Sequence, residues 1–279
     1  MTVDSEQQVH EEAWRKILTG ELAKLNRMRR VLGKIPSEPR CKLCAAPFGR
    51  PGSAFLRFVG FGPSRLNRRL CRMCFHSVDK TPGGAEVEIS LLFADVRGST
   101  ALAERTPAQE FSRLMARFYG TAAEVVDRHE GIVDKFVGDE VVALFVPGFA
   151  GAEHAAKAIA AARDLLQATG NDDGDPWIPV GAGVHTGVAY VGRVGEGDAC
   201  DFTALGDPVN TTSRLASSAG AGEIFVSSAA ADAGSLDTAG LEKRTLTLRG
   251  RDEHVEAWIA SGKARVTLSE EDSLTASST

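Results

Sequence analysis

From residue 87 to residue 261 the chain alternates apolar runs of strand length with stretches of helical period, and no other feature of the sequence restricts its fold as much. "VEISLLFADV" (87–96) reads as a buried strand. "PAQEFSRLMARFYGTAAEVVDRHE" (107–130) sets Phe111, Leu114, Met115, Phe118, Ala122, Val125 and Val126 at three- and four-residue steps, the apolar face of a long helix. "GIVDKFVGDEVVALFV" (131–146) gives two short strands meeting at Gly138-Asp139, a hairpin signal. "AGAEHAAKAIAAARDLLQA" (150–168) is a second helix, and "WIPVGAGVHTGVAYVGRVG" (177–195) is extended and rich in glycine. "DPVNTTSRLASSA" (207–219) opens another helix, with Asp207 as its expected N-cap and Pro208 at its first position. Strands near 223–226, 243–249 and 254–259 complete an α/β or α+β domain.

Upstream the pattern changes. Residues 6–33 read as one helix, with Leu18, Leu25 and Leu32 seven apart, Trp14, Ile17, Leu22 and Met28 on or beside the same face, and Gly33 and Pro36 at its end. Glu21 interrupts that stripe, which either packs on the chain's own domains or makes a dimer contact. Two pairs follow, Cys41/Cys44 in "CKLC" and Cys71/Cys74 in "CRMC", with 26 residues between the inner members. Without a secretion signal such pairs read as a metal site and not as disulfides. Four thiolates suit a tetrahedral Zn²⁺ of the zinc-ribbon type, with an iron–sulfur cluster as the alternative, in a module expected to be regulatory or to position a dimer. Between the pairs, "SAFLRFVGF" alternates as a short strand would, and Cys200, alone, reads as a small packed residue. The expected organisation is an N-terminal helix (1–36), a four-cysteine module (37–80), a linker "TPGGAE" (81–86), the main domain (87–261) and a disordered tail (262–279).

Composition is that of a soluble protein, 43% hydrophobic and 25% charged, with no run of 18 apolar residues and no basic-then-apolar leader, so a cytoplasmic location is expected. The net charge of −5 argues against a dedicated nucleic-acid binder. It is unevenly spread: residues 40–80 hold nine Lys/Arg against the single acid Asp79. That basic stretch is a solvated surface or a dock on the acidic remainder.

Asp95 ends a buried strand and Asp139 sits on a hairpin, so a sheet that sets these elements side by side brings two carboxylates together. Close carboxylates repel, and a hard divalent cation removes the conflict while leaving positions for phosphate oxygens. "VRGST" (96–100) is a turn of the kind that aims backbone N–H groups at an anion. The plainer reading makes Asp95 a helix cap and Asp139 a turn residue. Asn210 and Arg214, four apart on a helix, share one face and supply an amide and a guanidinium, suited to a sugar oxygen and to charge growing on phosphorus.

Taken together and in order, "FADVRGSTAL", "GIVDKFVGDEVVALF", "GVHTGVAYVGRVG" and "FTALGDPVNTTSRLA" resemble the class III nucleotidyl cyclase catalytic domain over about residues 87–261. The resemblance implies a ferredoxin-like βαββαβ core with extra strands, working as a homodimer with its active sites in the interface. It implies two Mg²⁺ or Mn²⁺ ions per site on Asp95 and Asp139, with Lys135 and Thr203 reading the purine. Asn210 and Arg214 would orient the ribose and stabilise the transition state, and Arg249 would contact phosphate. A lysine at 135 donates and so suits adenine N1, which makes ATP the expected substrate and cyclic AMP and pyrophosphate the products; a guanylyl or relaxed-specificity cyclase is the alternative. A metal-ribbon nucleic-acid-binding regulator with a nucleotide-binding domain is the reading outside enzymes. His185 reads as structural.

Overall fold

The computed structural model describes residues 3–35, 39–50, 52–64, 70–79, 81–172, 175–196, 199–247 and 254–261. Two helices, α1 (Val3–Leu18) and α2 (Ala23–Leu32), stand where one was expected over 6–33. The break has a packing cause: the end of α1 runs onto the chain at Gly148, where a Cβ would come 2.2 Å from the Ile17 carbonyl oxygen, and Gly20 turns away at φ +77°. Trp14 and Leu18 are fully buried, with the Trp14 ring stacked on Phe202 at 5.8 Å and its Nε1 donating to the Thr81 carbonyl at 3.2 Å. Arg29 donates to the carbonyls of Gly148 and Phe149. The apolar stripe is therefore covered by the chain's own main domain.

In the cysteine module the chain forms α3 (Ser53–Leu56) and α4 (Arg72–Asp79), so "SAFLRFVGF" is not a strand. Among the described residues no strand pairs with it; the Ser53 N–H donates to the Gly49 carbonyl at 2.9 Å and the Arg57 N–H to the Ser53 carbonyl at 3.0 Å, closing a helical turn. Of its three aromatics only Phe61 packs on a core cluster, while Phe55 and Phe58 are exposed.

The main domain runs β1 (Gly84–Val96), α5 (Ser99–Arg105), α6 (Ala108–Arg128), β2 (Ile132–Val137), β3 (Glu140–Phe145), α7 (Pro147–Ala150), α8 (His154–Ala168) and β4 (Val180–Glu196). The four strands pair antiparallel in the order β2-β3-β1-β4, the ferredoxin-like core implied by the resemblance. β5 (Ala199–Leu205) folds back on β4 and α9 (Asp207–Ser218) crosses it; then come β6 (Glu223–Ser227), α10 (Ser228–Ala233), β7 (Glu242–Thr247) and β8 (His254–Ser261). The sheet continues from β4 through a parallel β6 to β8 and β7. β1 begins at Gly84, inside the stretch expected to be linker, because Gly84 pairs with Gly192 so closely that a Cβ on Gly192 would lie 2.3 Å from the Gly84 Cα.

From Leu91 to Ala94 β1 is apolar and buried because both of its faces are covered there, whereas Glu86 and Glu88 near its start are exposed. Leu92, Ala94 and Val96 pack with Met115, Phe118 and Val125 of α6 and with Ile159 and Leu165 of α8. Val87, Ile89, Leu91 and Phe93 face the other way, into one cluster with Trp14, Leu18 and the four cysteines. The glycines of β4 have a related cause. Gly181, Gly183 and Gly187 alternate on the face under α9, and a Cβ on Gly183 would stand 2.4 Å from the Ala216 nitrogen. Only bare backbone lets α9 lie that close.

Candidate active site

Asp95 sits one residue before the end of β1, opposite Glu140 of β3 and Gly181 of β4. Asp139 lies on the β2–β3 turn beside Gly138, whose φ of +61° the hairpin requires, and the Val96 N–H reaches the Asp139 carbonyl at 3.3 Å. Burial pushes the Asp95 carboxyl up to about 6, opposed by Arg97 and reinforced by the neighbouring Asp139. Glu140, which the sequence reading did not single out, is pushed up to about 7 by burial and then by Asp95 and Asp139. Three carboxyl groups thus crowd one strand end. Asp95 and Asp139 could hold a divalent cation, since such a donor set is hard, acidic and short of positive charge.

Arg97 is the nearest counter-charge. Its guanidinium donates to the Asp95 carboxylate and also to the carbonyls of Ser217 (3.2 Å) and Ala219 (3.3 Å) at the end of α9. Its backbone N–H is taken by the Pro179 carbonyl at 2.9 Å, so that amide is not turned toward an anion. Nor does Asp95 cap a helix: α5 starts after Gly98, at φ +69°, with no side-chain cap. A cleft of about 260 Å³ adjoins Asp139, lined by Ser99, Thr100, Phe111, Met115 and Tyr119, and the Tyr119 hydroxyl donates to the Gly138 carbonyl, fixing the turn to α6.

Asn210 and Arg214 lie on α9, Asn210 exposed and Arg214 half-buried, while Thr211 and Thr212 between them and Leu215 after them pack inward. Neither side chain has a bonding partner among the described residues, and neither touches Asp95 or Asp139. The helix is capped by Gly206 and not by Asp207, which falls inside its first turn next to Pro208. Lys135 follows a bulge in β2, with its side chain 44% exposed. Thr203, on β5, is buried and donates from Oγ1 to Asp134 Oδ2 at 2.7 Å, although β3, β1 and β4 separate the two strands in the sheet. Lys135 Nζ stands 3.5 Å from the same Asp134 oxygen. Arg249, the expected tail and the Cys200 side chain lie outside the described residues. His185 Nδ1 lies 2.8 Å from Ser227 Oγ in a structural contact, as the sequence reading has it.

The four cysteines form a second centre. Cys41, Cys44, Cys71 and Cys74 are all buried, and their sulfur atoms lie within 4.8 Å of one another. The Cys44 and Cys71 sulfurs are 3.7 Å apart, against roughly 3.8 Å for the edge of a tetrahedron with Zn–S bonds of about 2.3 Å. The Cys71 N–H donates to Cys41 Sγ at 3.2 Å and the Cys74 N–H to Cys71 Sγ at 3.4 Å. Hydrogen bonds from the other three thiols, Cys44 first, pull the Cys41 thiol down. The donor set fits a single thiophilic metal ion.

The sequence model of the adenylate and guanylate cyclase catalytic domain matches residues 84–261, well over half of the chain. The chain belongs to that family. Its cyclase domain is 28% identical in sequence to the guanylyl cyclase Cya2, whose crystal structure it matches with a TM-score of 0.59 over 63% of this chain and 93% of that one. The adenylyl cyclase CyaB from P. aeruginosa matches at 25% identity and a TM-score of 0.54, over 63% and 95% of the two chains. Among curated relatives, Rv1318c of Mycobacterium tuberculosis is 33% identical over 182 residues, covering 62% of this chain and 32% of that protein. Rv1319c of the same organism is 35% identical over 134 residues, covering 48% of this chain and 24% of the relative. The chain thus spans a third or less of the length of the curated relatives it matches. No helix among the described residues is long and apolar enough to cross a membrane.

Proposed function

We propose that this cyclase is an adenylyl cyclase, converting ATP to cyclic AMP and pyrophosphate at the interface of a homodimer. The observation that carries the reading is the crowding of Asp95, Asp139 and Glu140 at one strand end of a cyclase domain, a charge conflict that divalent cations relieve. Two Mg²⁺ or Mn²⁺ ions on Asp95 and Asp139 supply Lewis acidity for the ribose 3′-hydroxyl and charge neutralisation for the triphosphate. In the reaction the 3′-oxygen bonds to the α-phosphorus while the bond from that phosphorus to the bridging oxygen of the β-phosphate breaks. Arg214 meets the charge that grows on the phosphoryl oxygens, and Asn210 holds the ribose. Their lack of partners among the described residues supports placing them opposite the Asp95 and Asp139 of a second copy, which gives a symmetric dimer two complete sites.

Lys135 favours ATP over GTP because its ammonium can only donate, and adenine N1 accepts where guanine N1 carries a hydrogen. Thr203 is the second base reader, and Arg249 the phosphate contact. The cysteine module binds one Zn²⁺ as a closed structural site: the compact sulfur set favours a mononuclear ion, since the thiolates of an iron–sulfur cluster bind different iron atoms and stand farther apart.

The test is incubation of the purified protein with ATP or GTP and Mn²⁺ or Mg²⁺, products identified by mass spectrometry, with Asp95→Ala as control. Cyclic AMP from the wild type alone is the expected result. Cyclic GMP as the main product would overturn the substrate assignment, and no cyclic product from a folded, metal-replete dimer would overturn the enzyme reading.

A further inference from the structure

The reading of Lys135 and Thr203 as the purine-recognising pair leaves a third side chain to explain. The Asp134 side chain is 4% exposed, and among the described residues the groups on its carboxylate are those same two residues, the Thr203 hydroxyl at 2.7 Å and the Lys135 ammonium at 3.5 Å. A carboxylate this deeply buried is costly unless hydrogen bonds and a counter-charge answer it, and both answers come from the base-reading positions. Burial pushes the Asp134 carboxyl up, while Thr203 and Lys135 hold it down.

A threonine hydroxyl has one proton and two lone pairs, and alone it rotates to donate or accept as its partner requires. An ionised carboxylate can only accept. Facing Asp134, Thr203 has its proton committed, and its oxygen has only lone pairs left for anything else. The 6-position of adenine carries an amino group, a donor, and that of guanine a carbonyl oxygen, an acceptor. We propose that Asp134 is a positioning residue that fixes Thr203 as an acceptor, and thereby sets the site to take a 6-aminopurine nucleotide and refuse a 6-oxopurine one. Lys135, turned toward the same carboxylate, supplies the complementary donor. The inference rests on the base-reading assignment made above.

The experiment measures kcat/KM and equilibrium binding of the intact protein for ATP, GTP and purine riboside triphosphate, which is ATP without its 6-amino group. The wild type is expected to favour ATP over the 6-H analogue by about tenfold, the worth of one hydrogen bond. In Asp134→Asn the amide oxygen turns to Lys135 and its NH₂ to Thr203, which must then accept and point its own proton outward. The preference for ATP over the 6-H analogue disappears, and the ATP-to-GTP ratio falls by about tenfold. In a Thr203→Val background Asp134→Asn changes neither ratio. A folded Asp134→Asn protein with wild-type ratios, or effects of the two substitutions that simply multiply, would overturn the proposal; the second result would mean that Asp134 meets the base itself. If Asp134→Asn does not fold, the wild type decides, and equal use of ATP and the 6-H analogue overturns the proposal. Ratios unmoved by Lys135→Ala and by Thr203→Val would instead remove the base-reading assignment, and this inference with it.

Discussion

His185 lies in the interior of β4, and burial pushes its pKa down to about 4, with Asp207 opposing. The folded ring stays neutral at pH values where the ring in an unfolded chain, near pH 6.5, takes up a proton. Stability is therefore complete above about pH 6.5 and is lost as the pH falls from there toward 4. Between pH 7.5 and 5.5 the loss is about 1 kcal/mol. Urea denaturation at the two pH values should show it in the wild type and show it reduced in His185→Gln. Other single residues were invisible in the sequence for a common reason. Glu140 matters because strand register sets it opposite Asp95, and Asp134 because the curl of the sheet brings β2 to β5; neither relation has a local signature. Arg97 could be read as a turn residue, but not as a tie from Asp95 to the last carbonyls of α9.

At the scale of elements, the glycines of β4 and α6 invite opposite outcomes from one substitution. Gly183→Ala drives a Cβ into the backbone of α9 and is expected to cost on the order of 2–3 kcal/mol. Gly120→Ala, in the interior of α6 with nothing within 4 Å of its added carbon, is expected to stabilise by up to about 1 kcal/mol. Thermal unfolding of the two variants checks both. The elements of the main domain were legible because their periods are local: "VEISLLFADV", the 107–130 helix and the Gly138-Asp139 hairpin all stand where the pattern puts them. Two readings failed where a distant contact decided. The 6–33 helix breaks because it meets Gly148, and "SAFLRFVGF" is helical at 53–56, where no strand among the described residues pairs with it. The helix cap at Gly206, one residue before the expected Asp207, belongs with these.

At the scale of the whole molecule, the proposed division of site residues between two copies of the chain predicts complementation. Asp95→Ala and Arg214→Ala are each expected to be inactive, and their equimolar mixture to regain about a quarter of wild-type activity, since half of the dimers are mixed and each has one intact site. Mixed dimers that form without activity would exclude a shared site. Removing the proposed metal from the cysteine module, by chelator or by Cys44→Ser, is expected to lower the unfolding midpoint by about 10 °C, roughly 3 kcal/mol, because the cysteines share one apolar cluster with the back of β1. The same cluster means that position 84, where the family match begins, is an edge in the sequence and not in space. Val87, Ile89, Leu91 and Phe93 would lose the residues that cover them if the chain were cut there, and the released fragment would be a sticky half-object. Whatever is fused, trimmed or swapped at that point, the unit that must travel together starts near Trp14.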